Sequence, residues 1–251
     1  VARDRAKCAA LQEELGDGMS YVIADLLHQS EVLRAAAEIS AYIKNYCGGK
    51  LYALINNAGC TRSWYMTTED GYEHQFALNH LAGFLLTHRL LPYLKAAKGR
   101  VLMTSSGSHK MMKMHWNDLM FKNGYHQLLA YKQSKLCNML FAYGFNERFA
   151  GSGVRAYGID PGLVNTKIGL KHTGGIGYLV WSIRMKQGKP PEIPAETYAW
   201  LLEQDEPPQG LYYFRCRENK YSGQVNRENA DKLWAVSEEL CGVEFGKERI
   251  V

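Results

Sequence analysis

Short apolar runs alternate along the chain with longer segments whose apolar residues recur at helical spacing. Residues 19–24, 51–55, 100–104 and 154–159 have the length and content of strands. Between them, residues 30–46, 69–96 and 128–150 repeat their apolar positions every three to four residues, which predicts helices. Strand runs separated by long helices imply βαβ units and a doubly wound parallel sheet with helices on both faces, an α/β, Rossmann-like architecture. Ligands of such sheets bind beyond the carboxyl ends of the strands. The residues just after each strand are therefore the place to look for chemistry. They are Asp25-Leu26, Asn56-Asn57-Ala58-Gly59, Ser105-Ser106 and Asp160-Pro161-Gly162. The first four residues, Val1-Ala2-Arg3-Asp4, read as a strand end leading into a helix through Leu15. No repeat, low-complexity tract or linker interrupts the pattern, so residues 1–251 read as a single domain.

Composition narrows the picture. Hydrophobic residues make up 46% and charged residues 22% of 251, an ordinary globular balance that excludes disorder. The formal net charge is +5 with no basic run, so nothing but the overall sign favours nucleic acid, and none is expected as a partner. The six cysteines, at 8, 47, 60, 137, 216 and 241, form no C-x-x-C pair and no zinc spacing. They read as free thiols in a reducing compartment, which makes a cytoplasmic location the expectation. No apolar run reaches the roughly 20 residues that span a bilayer. An anchor upstream of Val1 would change that location.

Candidate chemistry begins with Tyr131 and Lys135, four apart in a helical segment and so on one helix face. A free phenol, with a pKa of about 10, is a poor proton shuttle near neutrality. A neighbouring ammonium stabilises the phenolate and is expected to bring that value down into a useful range. Alone, the pair is a common helical spacing. Ser106 strengthens it, because a hydroxyl after an apolar strand can donate to a developing oxyanion, although a serine there also serves as a helix cap. Asn79 sits inside a long helix, where asparagine is unfavourable. It reads either as a solvent-facing residue or as a helix irregularity that frees a backbone carbonyl to hold a water near Lys135.

Together, N-N-A-G at 56–59, Asn79, Ser106, Tyr131 with Lys135, and P-G-L-V-N-T at 161–166 stand in order over nearly the whole chain. In this the sequence resembles the short-chain dehydrogenase/reductase family. T-E-D-G-Y-E at 68–73, N-H-L-A-G-F-L-L-T at 79–87, G-L-Y-Y-F at 210–214 and L-W-A-V-S-E-E-L at 233–240 are similar to its retinol-dehydrogenase-like branch. The resemblance implies an oxidoreductase that interconverts a lipophilic alcohol, retinoid- or steroid-like, with its aldehyde or ketone. It implies that Tyr131 is general acid and base, that Lys135 tunes it and binds the nicotinamide ribose, that Ser106 orients the substrate oxygen, and that Asn79 holds the water linking Lys135 to solvent. Asp25 and Leu26 would meet the adenine, Asn56, Ala58 and Gly59 the ribose, and Pro161, Gly162, Val164 and Thr166 the nicotinamide. Arg3 stands where the fold reads the adenine ribose. Because arginine suits a 2′-phosphate, NADP(H) is expected over NAD(H). The glycine-rich, apolar segment 167–194 is expected to form a substrate lid, with an ordinary packing or interface helix as the other reading. Relatives that pair through long helices suggest a homodimer or homotetramer.

One family feature is absent. The glycine-rich turn and the first strand leading into it, which would lie mid-sheet, do not occur in the sequence. The expectation is an N-terminally incomplete domain in which residues near Val1 and Ala24 are cut off from strand 51–55 and cofactor is held poorly. The rival to an enzyme is a non-catalytic binding or scaffold protein of the same fold.

Overall fold

The computed structural model describes residues 1–164 and 188–246. Helix α1 (Arg5–Leu15) opens after Asp4, whose carboxylate accepts the Lys7 N–H as an N-cap. Next come α2 (Gln29–Tyr46), β1 (Ala53–Asn56), and a long helical rod made of α3 (His74–Phe76), a π-helical segment (Ala77–Leu81) and α4 (Ala82–Ala97). Then follow β2 (Arg100–Thr104), a 3-10 turn (Gly107–Met111), α5 (Gln127–Arg148), β3 (Arg155–Ile159), α6 (Glu192–Glu203), β4 (Tyr212–Phe214), β5 (Arg217–Glu218) and α7 (Arg227–Cys241).

The strands form one sheet in the order β1-β2-β3-β4-β5. The first four are parallel, and β5 returns antiparallel through a tight hairpin. Successive side chains of the central strands feed opposite faces, as a pleated strand requires. Val101, Met103 and Ala156 join the large core under α2, α4, α5 and α7. Leu102, Tyr157 and Ile159 turn to the other face and pack with Leu201 of α6. A parallel sheet covered on both faces must be apolar on both, which is why these strands read as unbroken hydrophobic runs.

Three sequence expectations are corrected. Residues 19–24 do not form a strand: Ile23 makes a single parallel bridge with Ala2, outside the sheet. Two short segments without a third neighbour gain too little pairing to extend. Among the described residues no strand lies between that bridge and β1, which forms an edge with Ile55 exposed. Second, the helix expected from residue 69 starts at His74, because the buried Glu73 carboxylate caps the N–H groups of Gln75 and Phe76. Third, the strand expected from residue 51 starts at Ala53.

The outer face of the two long helices is occupied by the C-terminal part of the chain. Trp234 of α7 stacks on Phe141 of α5 with centroids 5.5 Å apart, meets Phe84 of α4 edge-on at 5.2 Å, and lies under the Arg148 guanidinium. Phe245 closes the cluster at 4.7 Å from Trp234. Trp234→Ala would empty a large, fully packed site, so a loss of about 3–5 kcal/mol is expected. Urea or guanidinium midpoints would measure it. A loss below about 1 kcal/mol would mean that α7 is not held to α5 in this way.

Candidate active site

The carboxyl ends of β1, β2 and β3 and the first turns of α5 converge on Tyr131, Lys135, Ser106 and Asn79. Tyr131 and Lys135 lie one turn apart on α5, with the Lys135 ammonium 5.5 Å from the centre of the Tyr131 ring. Lys135 is buried and donates to the Thr104 carbonyl at the end of β2, at 3.0 Å. The Asn138 amide donates to the same carbonyl at 3.0 Å. One residue further on, the Ser105 hydroxyl donates to the Lys135 carbonyl at 2.9 Å, tying α5 to the end of β2. Ser106 caps the 3-10 turn by accepting the Ser108 N–H, and it hydrogen-bonds toward the Tyr131 hydroxyl.

Asn79 lies in the π-helical segment and is buried, so it is not solvent-facing. Its amide donates to the Cys60 carbonyl at 3.0 Å and to Ser134 Oγ at 2.9 Å, while its oxygen accepts the Cys60 N–H at 2.7 Å. The side chain thus clamps the loop after β1 onto α5, one residue from Lys135. Gly59 is required by this closeness. A Cβ there would lie 3.2 Å from Asn79 Oδ1, closer than ordinary contact, and 3.6 Å from Lys135 Nζ, so a side chain would crowd the Asn79 oxygen.

The electrostatics differ from the sequence expectation. Tyr131 is pushed up to about 12, first by burial and then by the negative charge of Asp160, with the Ser106 hydrogen bond acting the other way. Lys135 is pulled down to about 8 by burial, with Cys60 and Asp160 opposing. The phenol thus stands above its ordinary value rather than below it, and burial is the first cause.

The other sequence-assigned residues are placed as follows. The Arg3 guanidinium bonds the Asp25 carboxylate at 3.3 Å, and the other Asp25 oxygen accepts the Leu27 N–H across half-buried Leu26. Burial pushes the Cys60 thiol up to about 11, and the charges of Lys135 and Arg3 act the other way. Asn56 turns its amide inward to Thr87 at 3.0 Å and to the Met103 sulfur, so its side chain anchors β1 to α4. Ala58 is exposed and Gly59 half-buried. Pro161 and Gly162 follow β3 and border a cavity of about 140 Å³ that also touches Lys189, Thr197 and Phe214. Gly162 has φ +69°, a backbone geometry that favours glycine. Val164 makes a single parallel bridge with Lys189. Thr166 and most of the expected lid, 167–187, fall outside the described residues.

Two residues at the site had no role assigned from the sequence. Tyr198 of α6 shares a 2.7 Å hydrogen bond with the Thr104 hydroxyl, which donates to Asn57 Oδ1. Asp160 was visible as a strand-end residue, but nothing in the sequence indicates what its carboxylate meets.

Residues 1–173 match the family model described as short chain dehydrogenase. Mouse retinol dehydrogenase 12 is 38% identical over 200 residues, 78% of this chain and 63% of that protein. Human retinol dehydrogenase 13 is 33% identical over 263 residues, 97% of this chain and 76% of its own. The chain spans about 63% of the length of the first curated relatives it matches. Among solved structures, an uncharacterised protein from Mycobacterium paratuberculosis shares 30% identity at a TM-score of 0.73, covering 97% of this chain and 84% of that one. NADPH-bound carbonyl reductase from chicken fatty liver shares the fold at a TM-score of 0.58 and 20% identity, over 82% of this chain and 79% of that one.

Proposed function

This chain belongs to the short-chain dehydrogenase family, and from that premise we propose that it carries the catalytic part of an NADP(H)-dependent oxidoreductase interconverting a lipophilic alcohol with its aldehyde or ketone. The observation that carries the proposal is the convergence of Asn79 from the π-helical segment, Ser106 from the end of β2, and Tyr131 with Lys135 from α5. A binding or scaffold protein would have no use for a buried lysine facing a buried phenol. The curated relatives are retinol dehydrogenases by name, which supports a lipophilic, retinoid- or steroid-like substrate.

The residues present fit a nicotinamide nucleotide. Lys135 commits one of its three N–H donors to Thr104, leaving two for a ribose. Gly59 leaves room for close backbone approach beside it. Pro161, Gly162 and Val164, with Thr166, are the residues that would frame the nicotinamide. Asn56, through its backbone, would lie with Ala58 and Gly59 on the ribose side, and Asp25 with Leu26 on the adenine side. When bound, the cofactor supplies the hydride. The chain's own work is positional and protonic. Ser106 holds the substrate oxygen next to the Tyr131 hydroxyl. Tyr131 gives its proton to that oxygen in reduction and takes it back in oxidation. Lys135, relayed to solvent through the π-segment around Asn79, restores it.

Arg3 supports the phosphorylated cofactor. Its guanidinium is half exposed, and its one ion pair among the described residues is the solvent-facing pair with Asp25, the kind that contributes little and is readily exchanged for a phosphate. Arg3→Ala is expected to raise the KM for NADPH at least tenfold and leave that for NADH nearly unchanged. A wild-type preference for NADH would overturn the assignment. NADPH oxidation measured over a panel of lipophilic aldehydes and ketones tests the function itself. Cofactor binding without turnover of any of them would favour the scaffold reading.

No helix among the described residues is long and apolar enough to cross a membrane. A cytoplasmic location and a homodimer or homotetramer remain part of the proposal. Because α7 and Phe245 already cover the aromatic face of α4 and α5, copies pairing through those helices would have to use what that cover leaves free.

A further inference from the structure

Thr104, the last residue of β2, joins both faces of the sheet at its carboxyl edge. Its carbonyl accepts the Lys135 ammonium and the Asn138 amide of α5, each at 3.0 Å. Its hydroxyl donates to Asn57 Oδ1, just after β1, at 3.0 Å, and meets the Tyr198 hydroxyl of α6 at 2.7 Å. An amide oxygen can only accept, so the one Thr104 hydroxyl hydrogen goes to Asn57, and the Tyr198 O–H donates to Thr104. Burial pushes the Tyr198 phenol up to about 12, with the Thr104 bond acting the other way, so the phenol stays a donor at neutral pH. That bond is not what seats α6. Leu201 is buried with Leu102, Tyr157 and Ile159, and Arg100 at the start of β2 donates to the Leu201 and Gln204 carbonyls. The Tyr198 ring packs on the same apolar cluster, where a phenylalanine ring would serve as well. What the hydroxyl adds to that packing is its hold on Thr104.

We propose that Tyr198 is a positioning residue for the reaction: from the opposite face of the sheet it fixes the Thr104 side chain, and so holds the Thr104 carbonyl on the Lys135 ammonium. This rests on the oxidoreductase reading and adds α6 to the elements that serve its site. The carbonyl belongs to the rigid peptide plane between Thr104 and Ser105. The far end of that plane is held by the Ser105 N–H, which donates to the Ile159 carbonyl at 2.7 Å. The near end is Thr104 itself, whose hydroxyl is held on two sides by Asn57 and Tyr198. Pinned at both ends, the plane keeps its oxygen in line with the Lys135 Nζ. A hydrogen bond from an ammonium is among the strong ones, and it weakens steeply with misalignment. In a buried site the loss falls on the charged form of the lysine. The titratable groups around Lys135 are Tyr131 on α5, Cys60 after β1 and Asp160 after β3. Among the described residues, none of the three hydrogen-bonds Tyr198 or the Thr104 side chain, so the Tyr198 hydroxyl reaches Lys135 through Thr104.

The test compares Tyr198→Phe, Thr104→Val, Thr104→Ser and the double variant Tyr198→Phe/Thr104→Val. Lys135 is followed by ¹³C NMR of labelled lysine, with Lys135→Met identifying its signal. In Tyr198→Phe the signal is expected to titrate about half a pH unit lower, roughly a threefold change in its protonation equilibrium. In the same variant kcat for carbonyl reduction should fall about fivefold with little change in KM. Thr104→Val should lose at least as much, while Thr104→Ser, which keeps the hydroxyl, stays within about twofold of wild type. The double variant should be no worse than Thr104→Val, because both changes act through one junction. A purely structural role would lower the melting temperature and leave the lysine titration where it is. An unmoved Lys135 signal in Tyr198→Phe would overturn the proposal. Losses that multiply in the double variant would do the same, since Tyr198 would then reach the site by another route. So would a Thr104→Ser variant as impaired as Thr104→Val. Should Thr104→Val not fold, Tyr198→Phe and Thr104→Ser decide the matter. If the protein turns over no carbonyl substrate, the oxidoreductase reading fails by itself, and the lysine titrations still decide whether Tyr198 holds Lys135 through Thr104.

Discussion

Tyr131→Phe is expected to lower turnover in both directions about a thousandfold, within the roughly 10²–10⁴ that a positioned acid–base group contributes. Cofactor affinity should change less than about threefold. The change removes one oxygen. It leaves the ring, the cation–π contact with Lys135 and the packing of α5 in place. A residual activity within tenfold of wild type would remove Tyr131 from the mechanism. A parallel collapse of cofactor binding would mean that the hydroxyl supports the cleft rather than the reaction. The activity assay and a fluorescence titration with NADPH separate these outcomes.

Lys135→Met is expected to lose activity on the same scale and to gain stability. The amine is held at about 8 by burial, against an ordinary 10.5. The sign follows from proton counts. Between about pH 8 and 10.5 the unfolded chain binds a proton that the folded protein has released, so stability rises with pH across that window. Below it the folded protein carries a desolvated ammonium, a cost of order 3 kcal/mol at pH 7. Methionine has a similar shape and no charge. The Thr104 carbonyl that Lys135 satisfies keeps its second donor, Asn138. Denaturation at pH 7 should therefore show the variant more stable by up to about 3 kcal/mol, with the gap shrinking above pH 8 and closing near pH 11. A destabilised variant at pH 7 would mean that the ammonium is well solvated or paired. The same pKa places a limit on wild-type reduction, which should decline above about pH 8 as Lys135 loses its proton.

A π-segment, a buried lysine and a buried asparagine each cost stability, and each lies at the cleft. The aromatic packing of Trp234, Phe141, Phe84 and Phe245 lies on the far side of the same helices and offsets them.

Much of this was legible in the sequence because it is periodic or local. β2 runs over the residues its apolar run marks, β3 begins one residue late, and α2 and α5 fall within two residues of their expected ends. Tyr131 and Lys135 share a face because four residues make about one turn, whatever surrounds them. The failures are those where a neighbour decides. Residues 19–24 have the composition of a strand, but pairing is a property of two chains of backbone, and here only Ala2 meets Ile23. The start of α3 belongs to the Glu73 carboxylate, not to the apolar repeat that begins before it.

The candidate site followed the same division. The sequence by itself determined which hydroxyl and which amine stand one helical turn apart, and that a serine and an asparagine accompany them. Only the tertiary structure decided that Asn79 is buried in a π-turn and bonded to the loop at Cys60. It also decided that burial governs the phenol. Spacing along a chain is set by covalent geometry, which a sequence carries in full. Desolvation and long-range charge depend on what the rest of the chain folds against the site.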